Sequence, residues 1–329
     1  MKREAIGIDI GGTGVKLGRV DEDGKVLARH EIPTPLGSSP EEDVRHIARS
    51  VAELQGVSGK PGEAPLGGCC IGAGCAGLVS NREGVVHTSP NLPCWTEVPL
   101  AALLEHELGA PVYVLNDADA FGLAEARTGA GRGSSPVIAL TLGTGVGGAI
   151  VTDGRVLGGK HGFAGEIGHM SIHLDGPPCP CGGRGCLEIY IGKRGIVSRY
   201  LERDTWRSGA PAFDLARGDR EALSPKLLAD AVELGDKAAS ETFCESGEIL
   251  GAALANLTNI LDPAVFVVGG GVSQAGDLIL EPARRALRDR VMIREIDVPK
   301  IVRAALGVDA GLIGAAFFAL DSSASRGAA

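Results

Sequence analysis

The order of apolar and polar residues at the start of the chain predicts a three-stranded meander. In AIGIDIGGTGVKLGRV a glycine turn separates two apolar runs, and Asp23-Gly24 separates the second run from a third. Asp-Gly between alternating apolar residues is a strong signal for a two-residue hairpin. The same order recurs from Pro136 in PVIALTLGTGVGGAIVTDGRVLGG, where Asp153-Gly154 forms the second turn. This internal repeat predicts that the chain makes the same small sheet twice.

Alternating strands and helices are predicted after each meander. In the first half, apolar runs typical of buried parallel strands span residues 67–75 and 111–117, and helices are expected over 40–55 and 118–127. In the second half, an apolar stripe predicts a helix over 241–261 that Asp262-Pro263 ends. It is followed by a predicted strand in AVFVVGGG, a helix from about Gly276, a strand in KIVRAA and a final helix from about Asp309. Because glycine turns expose backbone N–H groups to phosphate oxygens, two such α/β halves predict a bilobed protein with a nucleotide between its lobes.

Composition narrows the function classes. A chain of 329 residues with 44% hydrophobic residues is long enough for two domains. A net charge of −9, 4% aromatic residues and no basic run argue against a nucleic-acid partner. The N-terminus lacks the pattern of a secretory signal, and the longest apolar stretch is interrupted by Gly and Thr. We therefore expect a cytoplasmic protein with no membrane partner.

Three of the eight cysteines form a tight cluster in CPCGGRGC. The other five are spread out in a way unlike a secreted disulfide framework, and we expect them to be small core residues: Cys69, Cys70, Cys75, Cys94 and Cys244.

The clustered Cys179, Cys181 and Cys186 suit zinc, because thiolates are soft ligands. A fourth ligand is needed, and the nearest upstream histidines are His161, His169 and His173. With His169, ten residues before Cys179, the site would be a closed Cys3His tetrahedron and therefore structural. The alternative is an oxidisable loop whose cysteines only pack.

Five segments together resemble the ROK family of sugar kinases and sugar-responsive repressors. They are DIGGTGVK (9–16), NDADA (116–120), GEIGH (165–169), CPCGGRGCLE (179–188) and NILDPAVFVVGGGVS (259–273). The cysteine motif with an upstream GExGH is specific to that family, whereas DIGGT is shared with the actin, hexokinase and Hsp70 superfamily. One departure is Asp119, where the family commonly has Asn, and another is CAGLVS, where a Pro-Gly is typical.

The resemblance implies a duplicated actin/hexokinase-like (ribonuclease H-like) α/β fold, with two lobes around an interlobe cleft where ATP and sugar meet. We predict a small α/β lobe at 1–117, on which a C-terminal helix at about 309–321 packs back. The large α/β lobe is predicted at 118–308, with a zinc-binding loop at 169–188.

Phosphoryl transfer to a hydroxyl needs a carboxylate that accepts the hydroxyl proton. Asp117 is the predicted base, since it ends the predicted strand PVYVLND, where open α/β sheets place ligand-binding residues. The alternative is that Asn116-Asp117 only caps the next helix.

Further site residues follow from the resemblance. The implied sugar ligands are Asn91, Asn116, Asp117, Glu166, His169 and Glu188, although Glu166 and Glu188 could instead be solvated loop charges. His169 could bind zinc with one ring nitrogen and the sugar with the other. The implied nucleotide-binding residues are Asp9 (Mg2+ through water), Gly11, Gly12, Thr13 and Lys16, Thr144 and Gly145, and Gly270 and Gly271 beside adenosine.

The resulting hypothesis is an ATP-dependent glucokinase that forms glucose 6-phosphate, with Mg2+ and a structural Zn2+. The segment NLPCWTEVPL favours glucose, with Trp95 packed behind the sugar site. Alternatives are an N-acetylmannosamine or fructose kinase, and polyphosphate as donor. An actin-like filament protein would not need the zinc loop. A ROK-type repressor would carry a helix-turn-helix before the core, and only eight residues precede Asp9. The expected partners are the sugar, ATP and further copies of the same chain, which would form a homodimer or a tetramer.

Overall fold

A computed structural model describes residues 2–37, 39–56, 69–203, 205–292 and 297–326. Its strands are β1 (Glu4–Ile10), β2 (Gly14–Asp21), β3 (Val26–Pro33), β4 (Cys70–Cys75), β5 (Leu78–Ser80), β6 (Val85–Thr88), β7 (Thr96–Val98), β8 (Val112–Asn116), β9 (Val137–Leu142), β10 (Val146–Thr152), β11 (Arg155–Val156), β12 (Val265–Gly269) and β13 (Lys300–Arg303).

The α-helices lie between or after these strands, and five of them, α4 to α8, follow one another between β11 and β12. They are α1 (Pro40–Leu54), α2 (Leu100–Leu108), α3 (Asp117–Arg127), α4 (Leu187–Ile191), α5 (Lys193–Leu201), α6 (Pro211–Leu215), α7 (Pro225–Glu233), α8 (Lys237–Leu261), α9 (Asp277–Arg290) and α10 (Ala310–Arg326). Short 3-10 helices lie at Ile167–His169, Arg220–Ala222, Val272–Ala275 and Gly307–Asp309.

Two five-stranded sheets have the same strand order, which confirms the predicted repeat. The first runs β3-β2-β1-β4-β8 and the second β11-β10-β9-β12-β13. In each sheet the three meander strands come first, and two parallel strands follow on the side of the first meander strand. Asp153 and Gly154 have φ values of 50° and 70°, as a type I′ hairpin turn requires.

Several elements were not predicted. The small sheet β5-β6-β7 has strands of three or four residues, too short to show a clear alternation. The helices α2 and α4 to α7 were also missed. Helix α8 begins at Lys237, four residues before the predicted stripe, because the Asp236 side chain accepts a hydrogen bond from Ala239 N at 3.0 Å and caps it. The predicted strand 67–75 is observed from Cys70, and residues 67 and 68 lie outside the described residues.

By its internal contacts the chain forms two compact units. Unit 1 comprises Met1–Gly133, Ala149–Gly165 and Ala305–Ala329, and unit 2 comprises Ser134–Gly148 and Glu166–Ala304. This division differs from the predicted boundary at residue 117, because α3 packs on α10 and both belong to unit 1. The assignment of a small and a large lobe stays a prediction.

Glycines let helix α10 lie directly on the first sheet in unit 1. A β-carbon at Gly7 would lie 1.8 Å from Leu312 O, and one at Gly72 would lie 1.8 Å from Ala315 O. Only a residue without a side chain allows this approach. The opposite face of the sheet, with Ile6 and Ile8, joins a buried core that includes Val44 and other residues of α1.

Unit 2 has its own hydrophobic core. Helix α8 supplies Phe243, Leu250 and Leu254, which are buried in one cluster with Phe266 of β12 and Ile138 of β9. Among the described residues, no helix is both long and apolar enough to cross a membrane.

Candidate active site

The carboxyl ends of three strands meet in unit 1. In the parallel register Ile10 lies beside Cys75, and Cys75 lies beside Asn116. This register brings together the strand ends that carry Asp9 and Asp117. Burial, together with the negative charges of Asp117 and Asp9, raises the pKa of the Cys75 thiol. The predicted catalytic and Mg2+-binding carboxylates therefore lie close to one edge of the sheet.

Asn116 caps helix α3 and thereby fixes the position of Asp117. Asn116 Oδ1 accepts hydrogen bonds from Ala118 N at 2.8 Å and Asp119 N at 3.3 Å, and its Nδ2 donates to Gly77 O at 2.9 Å. Asp117 is the first helical residue, and its Oδ1 accepts from Ala118 N at 2.9 Å. The partial positive charge of the helix N-terminus therefore lies beside the Asp117 side chain. Asn116 therefore caps α3 and orients Asp117, and the sugar-binding role of Asn116 and the catalytic role of Asp117 stay predictions.

Lys16 lies over Asp9 rather than extending freely into solvent. The two residues are paired across β1 and β2, and Lys16 Nζ lies 3.7 Å from Asp9 Oδ2. Burial raises the pKa of Asp9, and the Lys16 ammonium opposes that shift. The first turn of α10 borders the same carboxylate, since a β-carbon at Gly311 would lie 2.6 Å from Asp9 Cγ.

The first glycine turn touches a predicted sugar ligand. A β-carbon at Gly12 would lie 2.9 Å from Asn91 Cβ, so the exposed Asn91 side chain stands directly beside this turn. Thr34 Oγ1 donates to Gly11 O at 2.7 Å, and Thr34 N donates to Thr13 O at 3.3 Å. Thr34, which directly follows β3, therefore holds the turn by two hydrogen bonds, and Asn91 packs beside it.

In unit 2, the predicted zinc ligands come together. The ligand atoms of His169, Cys179, Cys181 and Cys186 all lie within 4.8 Å of one another. Cys179 Sγ is 3.7 Å from His169 Nδ1, and Cys181 Sγ is 3.7 Å from Cys186 Sγ. A tetrahedral zinc ion with Zn–S bonds of about 2.3 Å has ligand atoms about 3.8 Å apart. The spacing therefore fits a closed Cys3His zinc site.

The backbone of the cysteine loop forms a small hairpin. Cys179 N donates to Gly183 O at 2.9 Å, and bridges pair Pro178 with Arg184 and Ser171 with Cys186. This hairpin folds the three cysteines back towards His169.

His161 and His173, the other upstream histidines, are not members of the cluster found among the described residues. His161 instead stacks on Phe163, with ring centroids 6.3 Å apart.

The thiols differ in their environments. Burial raises the pKa of Cys186 to about 12 and also raises the pKa of Cys179, whereas a hydrogen bond from Gly183 N lowers the pKa of Cys181. A bound divalent cation favours thiolates in such a site.

Glu188 connects the cysteine cluster to the second glycine turn. Cys186 is the N-cap of α4, so Glu188 lies in the first turn of this helix. Glu188 Oε2 accepts a hydrogen bond from Val146 N at 3.0 Å, and its Oε1 lies 4.0 Å from Cys179 Sγ. A β-carbon at Gly145 would lie 2.1 Å from Oε2. The Glu188 carboxylate is therefore fixed by a hydrogen bond and a helix, and is not a solvated loop charge.

The third glycine turn lies beside the second. Gly270 has φ +84°, and a β-carbon there would lie 2.4 Å from Leu142 O. No atom of the described residues lies within 4 Å of the β-carbon position of Gly271. This open backbone leaves room for a flat group such as a base.

Comparison with known proteins decides the family. The sequence profile of the ROK family matches residues 5–322. The chain belongs to the ROK family. This confirms the resemblance given by the five motifs.

ROK relatives include both kinases and a repressor. A glucokinase of Thermotoga maritima is 36% identical over 315 residues, which cover 96% of each chain. A xylose repressor of Caldicellulosiruptor bescii is 30% identical over 88% of this chain and 71% of that protein. A ROK family glucokinase from Streptomyces griseus is 36% identical in sequence, and its crystal structure was determined in complex with glucose and AMPPNP. That structure matches this one with a TM-score of 0.81, covering 97% of this chain and 99% of that one. The predicted actin/hexokinase-like fold is confirmed.

The predicted site residues divide between the two units. Unit 1 contains Asp9, Gly11, Gly12, Thr13, Lys16, Asn91, Asn116 and Asp117. Unit 2 contains Thr144, Gly145, Glu166, His169, Cys179, Cys181, Cys186, Glu188, Gly270 and Gly271. Their individual roles stay predictions.

Two buried acids in unit 1 were missed from the sequence. Glu125 is fully buried, and its carboxylate accepts hydrogen bonds from Ala130 N at 2.8 Å, Ala305 N at 2.9 Å and Leu306 N at 2.8 Å. Asp43 is 3% exposed and lies on the apolar stripe of α1. In both cases an acid at a core-facing helical position was the available signal.

The expectation that the scattered cysteines are core residues holds for Cys70 and Cys75, which are buried, whereas Cys69 and Cys244 are only half-buried. Cys94 is exposed, because its neighbour Trp95 occupies the core at this point of the chain.

Proposed function

We propose that this ROK protein transfers the γ-phosphoryl group of ATP to the 6-hydroxyl of glucose. The glucokinase relative from Thermotoga maritima and the Streptomyces griseus complex with glucose and AMPPNP support the sugar and the donor. The prediction of a hexose-phosphorylating enzyme is confirmed by such relatives, whereas the choice of glucose is part of the proposal.

One observation within unit 2 carries the proposal. Glu188, a predicted sugar ligand, is hydrogen-bonded to Val146 N in the glycine turn that is predicted to approach the terminal phosphates of ATP. Phosphoryl transfer requires the acceptor and the phosphates to be held side by side. The contact favours phosphoryl transfer, because it joins a predicted sugar ligand to a predicted phosphate-binding turn.

Asp117 is proposed to accept the proton of the attacking hydroxyl. It is held at the N-terminus of α3, and a carboxylate there is the group that can take up this proton. Backbone N–H groups of the glycine turns 11–13 and 143–145 would bind phosphate oxygens, and Lys16 would neutralise their charge. Asp9 would hold Mg2+ through water, because Mg2+ commonly binds one carboxylate together with substrate phosphates.

His169, Cys179, Cys181 and Cys186 would hold a structural zinc ion. When bound, zinc would fix the loop that ends at Glu188. His169 Nδ1 faces the cluster, so its Nε2 is the nitrogen available to a sugar hydroxyl. Glu166 and Asn91 are proposed to bind further hydroxyls.

Purified protein with Mg-ATP is expected to release ADP in the presence of glucose, well above the rates with N-acetylmannosamine, fructose or no sugar. A higher rate with another sugar would reassign the substrate within the family. Polyphosphate replaces ATP in a parallel assay, and turnover only there would reassign the donor. Sugar binding without turnover in any assay would favour the regulator instead.

Gly145→Ala is expected to raise the KM for glucose about tenfold or more, because the new β-carbon would displace the Glu188 carboxylate. Gly143→Ala is the control for glucose binding: apart from its chain neighbours, no atom of the described residues lies within 4 Å of its β-carbon position, so Glu188 stays in place. Because the turn 143–145 is proposed to bind ATP, the KM for ATP is measured separately for both variants. Steady-state kinetics with glucose varied at saturating ATP measure both variants. Equal effects of the two substitutions on the KM for glucose would contradict the role of Glu188.

The predicted homodimer or tetramer, the cytoplasmic location and the absence of a nucleic-acid or membrane partner stay predictions.

A further inference from the structure

Asp43 is a carboxylate in the core of unit 1. It lies in the first turn of α1, beside the core residues Val44 and Ile47, and is 3% exposed. A carboxylate is rarely buried unless protein groups replace its hydration. Its partners therefore indicate what it holds in place.

Both oxygens of Asp43 accept hydrogen bonds, one from the distant Trp95 and one from the segment just before α1. Asp43 Oδ2 accepts from Trp95 Nε1 at 3.0 Å, and Trp95 is itself 2% exposed. Asp43 Oδ1 accepts from Gly37 N at 2.6 Å. These two hydrogen bonds replace part of the hydration that the carboxylate loses on burial.

The two segments that Asp43 joins border the candidate site. Gly37 follows Thr34, which holds Gly11 of the first glycine turn. Trp95 is the last residue of the irregular segment 89–95. In this segment Trp95 N donates to Leu92 O at 2.9 Å, which closes a turn directly after Asn91. Asn91 is therefore connected to Asp43 through residues 92–95, and the turn at Gly11 and Gly12 is connected to it through residues 34–37. Asn91 and Gly12 lie side by side.

We infer that Asp43 is a positioning residue for sugar binding: through Trp95 and Gly37 it places the Asn91 amide beside the first glycine turn. This inference rests on the proposed function, in which Asn91 binds a sugar hydroxyl. Asp43 acts on affinity more than on rate, because the predicted base Asp117 is held separately by Asn116.

Asp43→Asn keeps the side-chain volume, but the amide can accept at most one of the two hydrogen bonds. It is expected to raise the KM for glucose about tenfold and to change kcat less than about threefold. Trp95→Phe removes the indole donor and should act similarly. Because both substitutions act on the same Asp43–Trp95 interaction, the KM for glucose of the double variant should be little higher than that of either single variant.

Trp206→Phe is the matched control. Trp206 is the other of the chain's two tryptophans and packs on Phe213 in unit 2, with ring centroids 5.1 Å apart. Its substitution should leave the KM for glucose unchanged. It also leaves Trp95 as the sole tryptophan, whose fluorescence reports on segment 89–95 during a glucose titration.

Hydrogen exchange measured by mass spectrometry supplies a readout that does not depend on turnover. Asp43→Asn should accelerate exchange in residues 89–95 and leave the peptides of unit 2 unchanged. Unchanged exchange in this segment would overturn the inference. So would faster exchange in an active variant whose KM for glucose equals that of the wild type.

A wild-type protein that turned over no hexose would contradict the proposed function instead. The fluorescence titration in the Trp206→Phe background then decides the inference. Weaker glucose binding caused by Asp43→Asn would support it, and unaltered or absent glucose binding would overturn it.

Discussion

Asp117→Asn is expected to lower kcat by about 10²- to 10⁴-fold, the usual range for loss of a general base. The amide has nearly the same shape as the carboxylate, and its oxygen can still accept the hydrogen bond that Ala118 N donates to Oδ1 at 2.9 Å. It cannot accept the proton of a hydroxyl. Glucose affinity, measured by calorimetry, should therefore change far less than turnover.

The same chain supplies a close control two residues further along α3. Asp119→Asn makes the same chemical change at a buried position where the resemblance gives Asn as the common residue. It should retain turnover of the same order as the wild type. Residual turnover above a few per cent in Asp117→Asn would remove Asp117 from the role of base.

Cys181→Ala is expected to abolish stoichiometric zinc binding. The wild type should contain one zinc ion per chain, because the four ligand atoms lie within 4.8 Å of one another and close a tetrahedron. With one thiolate removed, the hairpin loop loses its central crosslink, and Glu188 at its end loses part of its support. The melting temperature should fall and the KM for glucose should rise.

Metal analysis after gel filtration, thermal melting and glucose kinetics test this prediction together. Cys244→Ala is the control, since this half-buried cysteine lies on α8 outside the cluster. Its zinc content and melting should match those of the wild type. Full zinc occupancy with normal melting in Cys181→Ala would exclude Cys181 as a ligand, and a wild type without zinc would show that the cysteines only pack.

Local patterns predicted most of the regular architecture. The Asp-Gly turns and their flanking apolar runs identified both meanders, and the apolar stripe ending at Asp262-Pro263 identified most of α8. These signals work because a hairpin turn or a helix end depends on residues within a few positions of each other. Elements without such a signal, among them β5 to β7 and the short helices α4 and α6, were missed.

The candidate site shows the same division between local and distant information. The spacing of Cys179, Cys181 and Cys186 indicated a metal site, and His169 was predicted as its fourth ligand, but only the fold places His169 Nδ1 3.7 Å from Cys179 Sγ. The role of Asn116 was left open, because a capping residue and a sugar ligand look the same in sequence.

By itself the sequence determined the family, the duplicated α/β architecture and the residue types of a phosphoryl-transfer site, since each of these is written in short contiguous motifs. The tertiary structure alone decided that Glu188 holds the turn at Val146, that Asp43 ties Trp95 to Gly37, and that Glu125 binds the backbone at Ala305. These contacts join residues 42, 52, 6 and 180 positions apart. For the distant pairs, partner choice depends on which strands and helices pack together, and a single sequence does not contain that information in any local pattern.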